Sequence, residues 1–295
     1  MSRRTLLAVF VFFCLLSSVA WLLPVGAVDT LPPLQKQSLL YAITGVGALL
    51  FAGPKILARV GQISWLRLVA ASVVLLGIPA VYLEWSSGSI PALSASIVFA
   101  MAPLLVVLIT TASGEEHNAR QMFAPALAGV GGVLFLLPFN LPGSLHGGLM
   151  LAGLFVVVIL VALSSVWIHR LLQGVELADA VAVACLSNAV FLFAFGWVGE
   201  PFVWVWSALA SLASISSLAA LIQIVLLLWL LREMTPVRFG ARYLVIPLLT
   251  VLEGYILLRP GLTVRMGVGA LLLAVGAVRI VFSENSGDEV TLSLQ

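Results

Sequence analysis

The stretch 147–169, GGLMLAGLFVVVILVALSSVWIH, runs from Gly147 to His169 without one formally charged side chain at neutral pH. The hydrocarbon core of a bilayer asks for roughly 20 predominantly apolar residues in a helix, and this stretch supplies them. Working outward, comparable stretches recur at 6–28, 38–53, 66–83, 90–111, 121–137, 180–198, 206–231, 239–258 and 263–282, with short polar punctuation between them. Membrane strands would be about 9–11 residues of alternating polarity, which is not the pattern here. The expected fold is an all-α polytopic membrane protein with ten transmembrane helices.

Composition points the same way. The chain is 62% hydrophobic and 9% charged, against about 25% charged in a soluble domain, and a soluble fold would expose an apolar surface that water does not tolerate. The net charge of +2 gathers into no patch that would hold a nucleic acid. Cys14 and Cys185 both fall inside apolar stretches, without CxxC or metal-ligand spacing, and read as packing residues. No cofactor or metal is expected.

Orientation follows from the basic residues near the span ends. With the N-terminus inside, Arg3, Arg4, Lys55, Arg59, Arg67, Arg120, Arg170, Arg232, Arg238, Arg242 and Arg279 lie on the cytoplasmic side, and Lys36, Arg259 and Arg265 outside. The bias puts both termini in the cytoplasm, in a bacterial-type inner membrane. Trp21, Trp85, Trp197, Trp204 and Trp206 then sit near outer ends and Trp65, Trp167 and Trp229 near inner ends, as an interfacial belt requires. Ser2-Arg3-Arg4, the first apolar run and Val25-Gly26-Ala27 have the order of a cleaved signal peptide. That run is longer than such a segment needs, and its removal would leave nine helices, so it is expected to stay as the first span.

One offset, 144 residues, relates Pro103 to Pro247, Glu115 to Arg259 and Gly132 to Gly276. It also aligns Leu104-Leu105 with Leu248-Leu249 and Ala126 with Ala270, while Pro91 and Pro236 match one residue out of register. The expected division is 5–137 and 143–282, followed by a short cytoplasmic tail at 283–295. Each half holds five helices, an odd number, so equivalent helices run in opposite directions and form a five-plus-five inverted repeat. In secondary transporters that architecture places the substrate near the bilayer midplane between halves that rock against each other.

These features resemble the drug/metabolite transporter superfamily, specifically its EamA-type members, over almost the whole chain. The first half carries Pro91-Ala92-Leu93, Pro103, Gly114-Glu115 and the glycine-rich 128–132; the second carries Pro236, Pro247 and the glycines of 267–276. Leu258-Arg259 stands where the resemblance calls for Gly-Glu, and the second span has no basic residue where the pattern often has one, which marks a divergent member. The resemblance implies a permease for small organic metabolites.

Within the spans, Glu253 is the ionisable residue deepest in the membrane, and such residues are functional candidates by default. Its carboxyl can carry a proton or hold a cationic substrate group; the alternative is a vestibule position paired with Arg259. Arg242 and Glu84 stand near enough to interfaces for snorkelling to account for them. Asn188 and Gln223 carry amides that are costly to leave in lipid, and Tyr243, Tyr41, Ser17 and Ser94 complete the candidate substrate-binding or coupling set. Pro103 and Pro247 kink their helices and are expected to shape a central cavity. The small-residue pattern of the fifth and tenth spans permits close backbone approach, within one chain or between two.

The leading expectation is a secondary transporter, an exporter of amino-acid-like or amphipathic compounds, working as a monomer or homodimer with a proton or substrate exchange as the driving partner. No nucleotide-binding P-loop occurs. A membrane receptor or assembly subunit is the alternative. An intramembrane enzyme fits less well, since His117, His146 and His169 are scattered in or beside loops and no HExxH occurs.

Overall fold

The computed structural model describes residues 3–21, 31–53, 65–114, 119–137, 143–258 and 263–282. Ten helical segments follow one another: α1 (Arg3–Ser18), α2 (Pro33–Ala52), α3 (Trp65–Ser86), α4 (Ala92–Ser113), α5 (Arg120–Leu136), α6 (Leu145–Gln173), α7 (Leu177–Gly199), α8 (Ile215–Glu233), α9 (Pro236–Leu258) and α10 (Val264–Phe282). Seven of these, α3, α4 and α6 to α10, are long and apolar enough to cross a membrane. α1 and α5 are shorter, and α2 opens on the polar Gln35-Lys36-Gln37-Ser38. No strand occurs among the described residues. Large apolar side chains such as Leu50, Phe51, Val190 and Leu271 face outward, a surface suited to lipid and not to water. The chain is a polytopic helical membrane protein.

Three helices depart from regular α geometry at points the sequence explains. α3 passes through a π turn at Val73–Gly77, closed by the Ile78 N–H donating to the Val73 carbonyl, just before Pro79; the wide turn accommodates a residue that has no N–H to give. α4 breaks between Ala92–Phe99 and Ala102–Ser113, ahead of Pro103. α9 breaks between Pro236–Gly240 and Arg242–Leu258. The expected span 206–231 is also corrected: a short helical turn, Trp206–Leu209, leads through Ala210–Ala213 to α8 at Ile215. The cause is Ser214, whose side chain accepts the Ser217 N–H and caps α8.

Helix packing is strongest between α2 and α7 and between α5 and α10. In the second pair the glycines meet backbone to backbone. A Cβ on Gly132 would stand 2.5 Å from the Leu273 nitrogen and 2.7 Å from the Gly269 carbonyl, and one on Gly276 would stand 2.5 Å from the Pro125 carbonyl and 2.7 Å from the Gly129 nitrogen. The small-residue pattern therefore serves contact within the chain. Other helix pairs include α4 with α6 and α9, α3 with α6 and α7, α6 with α8, α1 with α8 and α9, α2 with α8, and the neighbours α4–α5 and α9–α10.

Helix ends are tied across the bundle. Glu200, after α7, accepts the Leu34 and Gln35 N–H groups that open α2, at 3.1 and 3.3 Å, a carboxylate at the positive end of a helix. At the other face Arg3 donates to the Phe282 carbonyl at 3.1 Å, so the start of α1 and the end of α10 share one end of the molecule. Gln173 donates to the Arg232 carbonyl at 2.6 Å, joining the ends of α6 and α8. The proposed tail at 283–295, Lys55, Arg59 and Glu115 lie outside the described residues.

Gly132→Ala is expected to lower stability by about 1–3 kcal/mol, because backbone cannot move aside as a side-chain tip can. Gly131→Ala, where an added Cβ meets nothing within 4 Å, is expected to gain up to about 1 kcal/mol from helix propensity. Thermal unfolding of the two purified variants in one detergent gives the comparison. Equal melting temperatures would mean that α5 and α10 are not in backbone contact.

Candidate functional site

A cavity of about 770 Å³ lies between α2, α3, α4 and α9. The irregular turns make room for it: Leu75, Leu76, Pro79 and Ala80 line it from the π turn of α3 onward, and Ile246 and Pro247 from α9. Its polar groups are few. Gln37 and Tyr41 come from α2, Glu84, Ser86 and Ser87 from the end of α3, Ser96 from α4 and Tyr243 from α9. The cavity opens where α2 begins, α3 ends and α4 begins, at the exposed Ser87, Ala92 and Ser96.

The opposite end is closed by a continuous stack. Phe99 lies 5.9 Å from Tyr243, centroid to centroid and nearly parallel; the Arg242 guanidinium sits 4.2 Å over the Tyr243 ring and 3.8 Å over the Phe239 ring; Phe239 then meets Phe13 of α1 at 6.2 Å. Phe239 is fully buried, and Phe13 and Arg242 nearly so. Arg242 thus departs from expectation: it lies inside the bundle and does not snorkel. The reason is that α9 begins at Pro236, three residues before the expected start, which carries Arg242 nearly two turns into the helix.

Of the candidate residues, Tyr41, Tyr243 and Pro247 line the cavity. Pro103 does not; it packs at the α9 break, where a Cβ on Gly240 would stand 3.5 Å from the Pro103 Cα. Ser94 is buried in α4, while Ser96, two residues on, faces the cavity. Asn188 is buried in α7, its Nδ2 donating to the Ala184 carbonyl at 2.7 Å and its Oδ1 without a hydrogen-bond partner among the described residues. That oxygen abuts Gly77, where an added Cβ would meet it at 2.9 Å; it packs against the π turn from behind.

Glu253, Gln223 and Ser17 form a separate group where α1, α8 and α9 meet. Ser18 donates to Glu253 Oε1 at 2.6 Å, while Oε2 is buried with no hydrogen-bond partner among the described residues. Gln223 donates to the Leu16 carbonyl at 2.8 Å, and Ser17 to the Phe13 carbonyl of its own helix at 2.8 Å. The alternative partner of Glu253, Arg259, lies outside the described residues. Sequence reasoning passed over Gln37 and, while noting Ser96 as a polar group within its span, left it and Phe99 out of the candidate set. The signal for the last two was present: they follow Pro91 on the segment that precedes the Pro103 break.

No family model and no curated protein matches the chain. One crystal structure, described simply as that of a protein, is similar over 95% of this chain and 98% of its own at a TM-score of 0.72, with 21% identical residues. At that identity the likeness is one of fold.

Proposed function

We propose that this protein is a secondary transporter of small organic compounds, built as a five-plus-five inverted repeat of ten membrane helices and resembling the EamA-type drug/metabolite transporters. The packing supports the repeat. A shift of five helices turns α4–α6 into α9–α1, α3–α6 into α8–α1, α3–α7 into α8–α2 and α4–α5 into α9–α10, all of them contacts in the bundle, and leaves α2–α7, α4–α9 and α5–α10 paired with themselves; the α6–α8 contact has no counterpart of like extent between α1 and α3 among the described residues. The residue offset repeats this at atomic scale. Gly132 meets Gly269 and Leu273, and adding or subtracting 144 gives Gly276 meeting Pro125 and Gly129, which is the observed contact.

The observation that carries transport is the cavity, open at one end, closed by an aromatic stack at the other, and lined by helices whose regular geometry is interrupted. Broken helices at membrane depth are tolerated where they line a cavity, and in transporters they mark the substrate site. The charge bias makes the open end the outer one in an inner membrane with cytoplasmic termini. The export direction rests on the family resemblance. Glu253 is the proposed proton site, supported by its half-satisfied carboxyl, whose Oε2 is buried without a hydrogen-bond partner among the described residues.

The orientation is tested with single cysteines at the two ends of α6. An impermeant thiol reagent outside intact cells is expected to modify a cysteine at Ser144 and spare one at Gly174; the opposite pattern would invert the topology.

Transport is tested in proteoliposomes carrying the full chain, against a panel of amino acids, nucleosides and amphipathic ions. A cysteine at the cavity-facing Ser96 is expected to react readily and to be protected by the transported compound, whereas one at the buried Ser94 reacts slowly. Uptake of nothing in the panel, with no protection at Ser96, would remove the transport reading.

Glu253→Gln keeps the size and hydrogen-bonding capacity of the side chain and removes its titration. Substrate binding is expected to persist while gradient-driven accumulation is lost. Accumulation equal to that of the unaltered protein, with the same pH dependence, would leave Glu253 as a packing residue held by Ser18.

A further inference from the structure

Arg242 is the charged residue most deeply enclosed beside the cavity, and among the described residues no carboxylate pairs with it. Nη1 donates to the Phe239 carbonyl at 3.2 Å and Nη2 to the Tyr243 hydroxyl at 2.9 Å, two neutral acceptors for a group with five donors. A guanidinium withdrawn from water needs opposing charge or dense hydrogen bonding. Two aromatic faces supply part of that, and neither neutralises it. The second observation is the position of Tyr243. Its ring lines the cavity floor, while its hydroxyl oxygen accepts from Arg242 and still has its own proton to give.

We infer that the cavity floor is an anion-reading site: a carboxylate on the transported compound accepts the Tyr243 O–H, and Arg242 behind it supplies the countercharge. This rests on the cavity being the transport site proposed above and names its substrate class, an organic carboxylate with an apolar body. The body follows from the lining, in which Leu75, Leu76, Phe99 and Ile246 surround the approach to Tyr243. The carboxylate follows from the donors. Arg242 polarises the Tyr243 hydroxyl, and a hydrogen bond to an ionised acceptor is roughly twice as strong as a neutral one. A cationic group beside Tyr243 would be repelled by the guanidinium; the carboxylate that lines the cavity, Glu84, comes from the end of α3, where the cavity opens.

Three probes that share one ring separate charge from shape: phenylacetate, 2-phenylethanol and phenethylamine. Each is titrated against the rate at which a cysteine at Ser96 is modified in the reconstituted full chain. Phenylacetate is expected to protect at concentrations at least about tenfold lower than the other two, the value of one charge-assisted hydrogen bond. Tyr243→Phe keeps the ring and its stack and is expected to abolish that preference, so that phenylacetate protects only at the concentrations 2-phenylethanol needs in the same variant. Arg242→Gln is expected to do the same, and should it fail to fold, the Tyr243 variant decides alone. Phenylacetate protecting no better than 2-phenylethanol, or a preference that survives Tyr243→Phe, would overturn the assignment. The two readings fail separately. Charge-selective protection without uptake of phenylacetate into proteoliposomes would end the transporter reading and leave the anion site, while uptake of other compounds without charge preference would do the reverse.

Discussion

In hydrocarbon, a backbone amide or carbonyl released from its helix has no water to turn to, and the architecture here depends on where such releases occur. The Ile78 N–H reaches back five residues to Val73 at the π turn of α3. In α4 the Met101 N–H bonds to the Val98 carbonyl at 3.1 Å, and in α9 the Ala241 N–H bonds to the Arg238 carbonyl at 3.1 Å. Each interruption keeps a local backbone bond of this kind. All three interrupted helices border the same cavity. The bends that Pro79, Pro103 and Pro247 impose or accompany hold these helices apart, and the space between them is left to be filled from outside.

The rigid counterpart is the glycine contact of α5 with α10 and the close packing of α2 on α7, where a Cβ on Gly45 would stand 3.0 Å from the Leu186 nitrogen. Lipid offers no hydrophobic drive for helices to associate, so close van der Waals approach must supply it, and small residues make that approach possible. These two pairs bind the first five helices to the last five, while α3, α4 and α9 keep the irregular geometry. In the proposed transporter the two seams would hold the halves together while the interrupted helices form the walls of the site between them.

Much of this was readable from the residues. Span lengths announced the helices, and the 144-residue offset picked out Gly132 and Gly276, which turn out to make reciprocal contacts. Pro247 is among the residues that line the cavity. Its counterpart Pro103 is not, because sequence fixes where a helix bends and not which neighbour the bend meets; Pro103 met Gly240 instead. Asn188 and Gln223 were singled out because their amides are expensive in lipid, yet cost alone does not say whether relief comes from substrate or backbone. Here the Ala184 and Leu16 carbonyls take up the amide N–H groups, while the Asn188 Oδ1 is left without a partner among the described residues. Arg242 was misplaced for a simpler reason: with α9 starting at Pro236, a side chain set near the interface becomes the cation beneath the floor.

That placement reorganises the electrostatics of the proposed site. Glu253, the carboxyl singled out in advance, lies with Ser18 in the contact of α1 and α9 and not among the cavity-lining residues, whereas the positive charge lies under the cavity floor. α9 carries both, one on each side of Pro247; α1 holds Glu253 through Ser18 and, through Phe13, meets the Phe239 ring over which the Arg242 guanidinium sits. A shift of α9 against α1 therefore cannot alter the carboxyl's surroundings without also disturbing the stack that closes the cavity. Coupling between an ion site and a substrate site requires such a shared moving part, with each ligand biasing the same two arrangements. In the transporter proposed here, the length of α9 between Arg242 and Glu253 would be that part, and Pro247, which frees one backbone bond midway along it, would be its point of flexure.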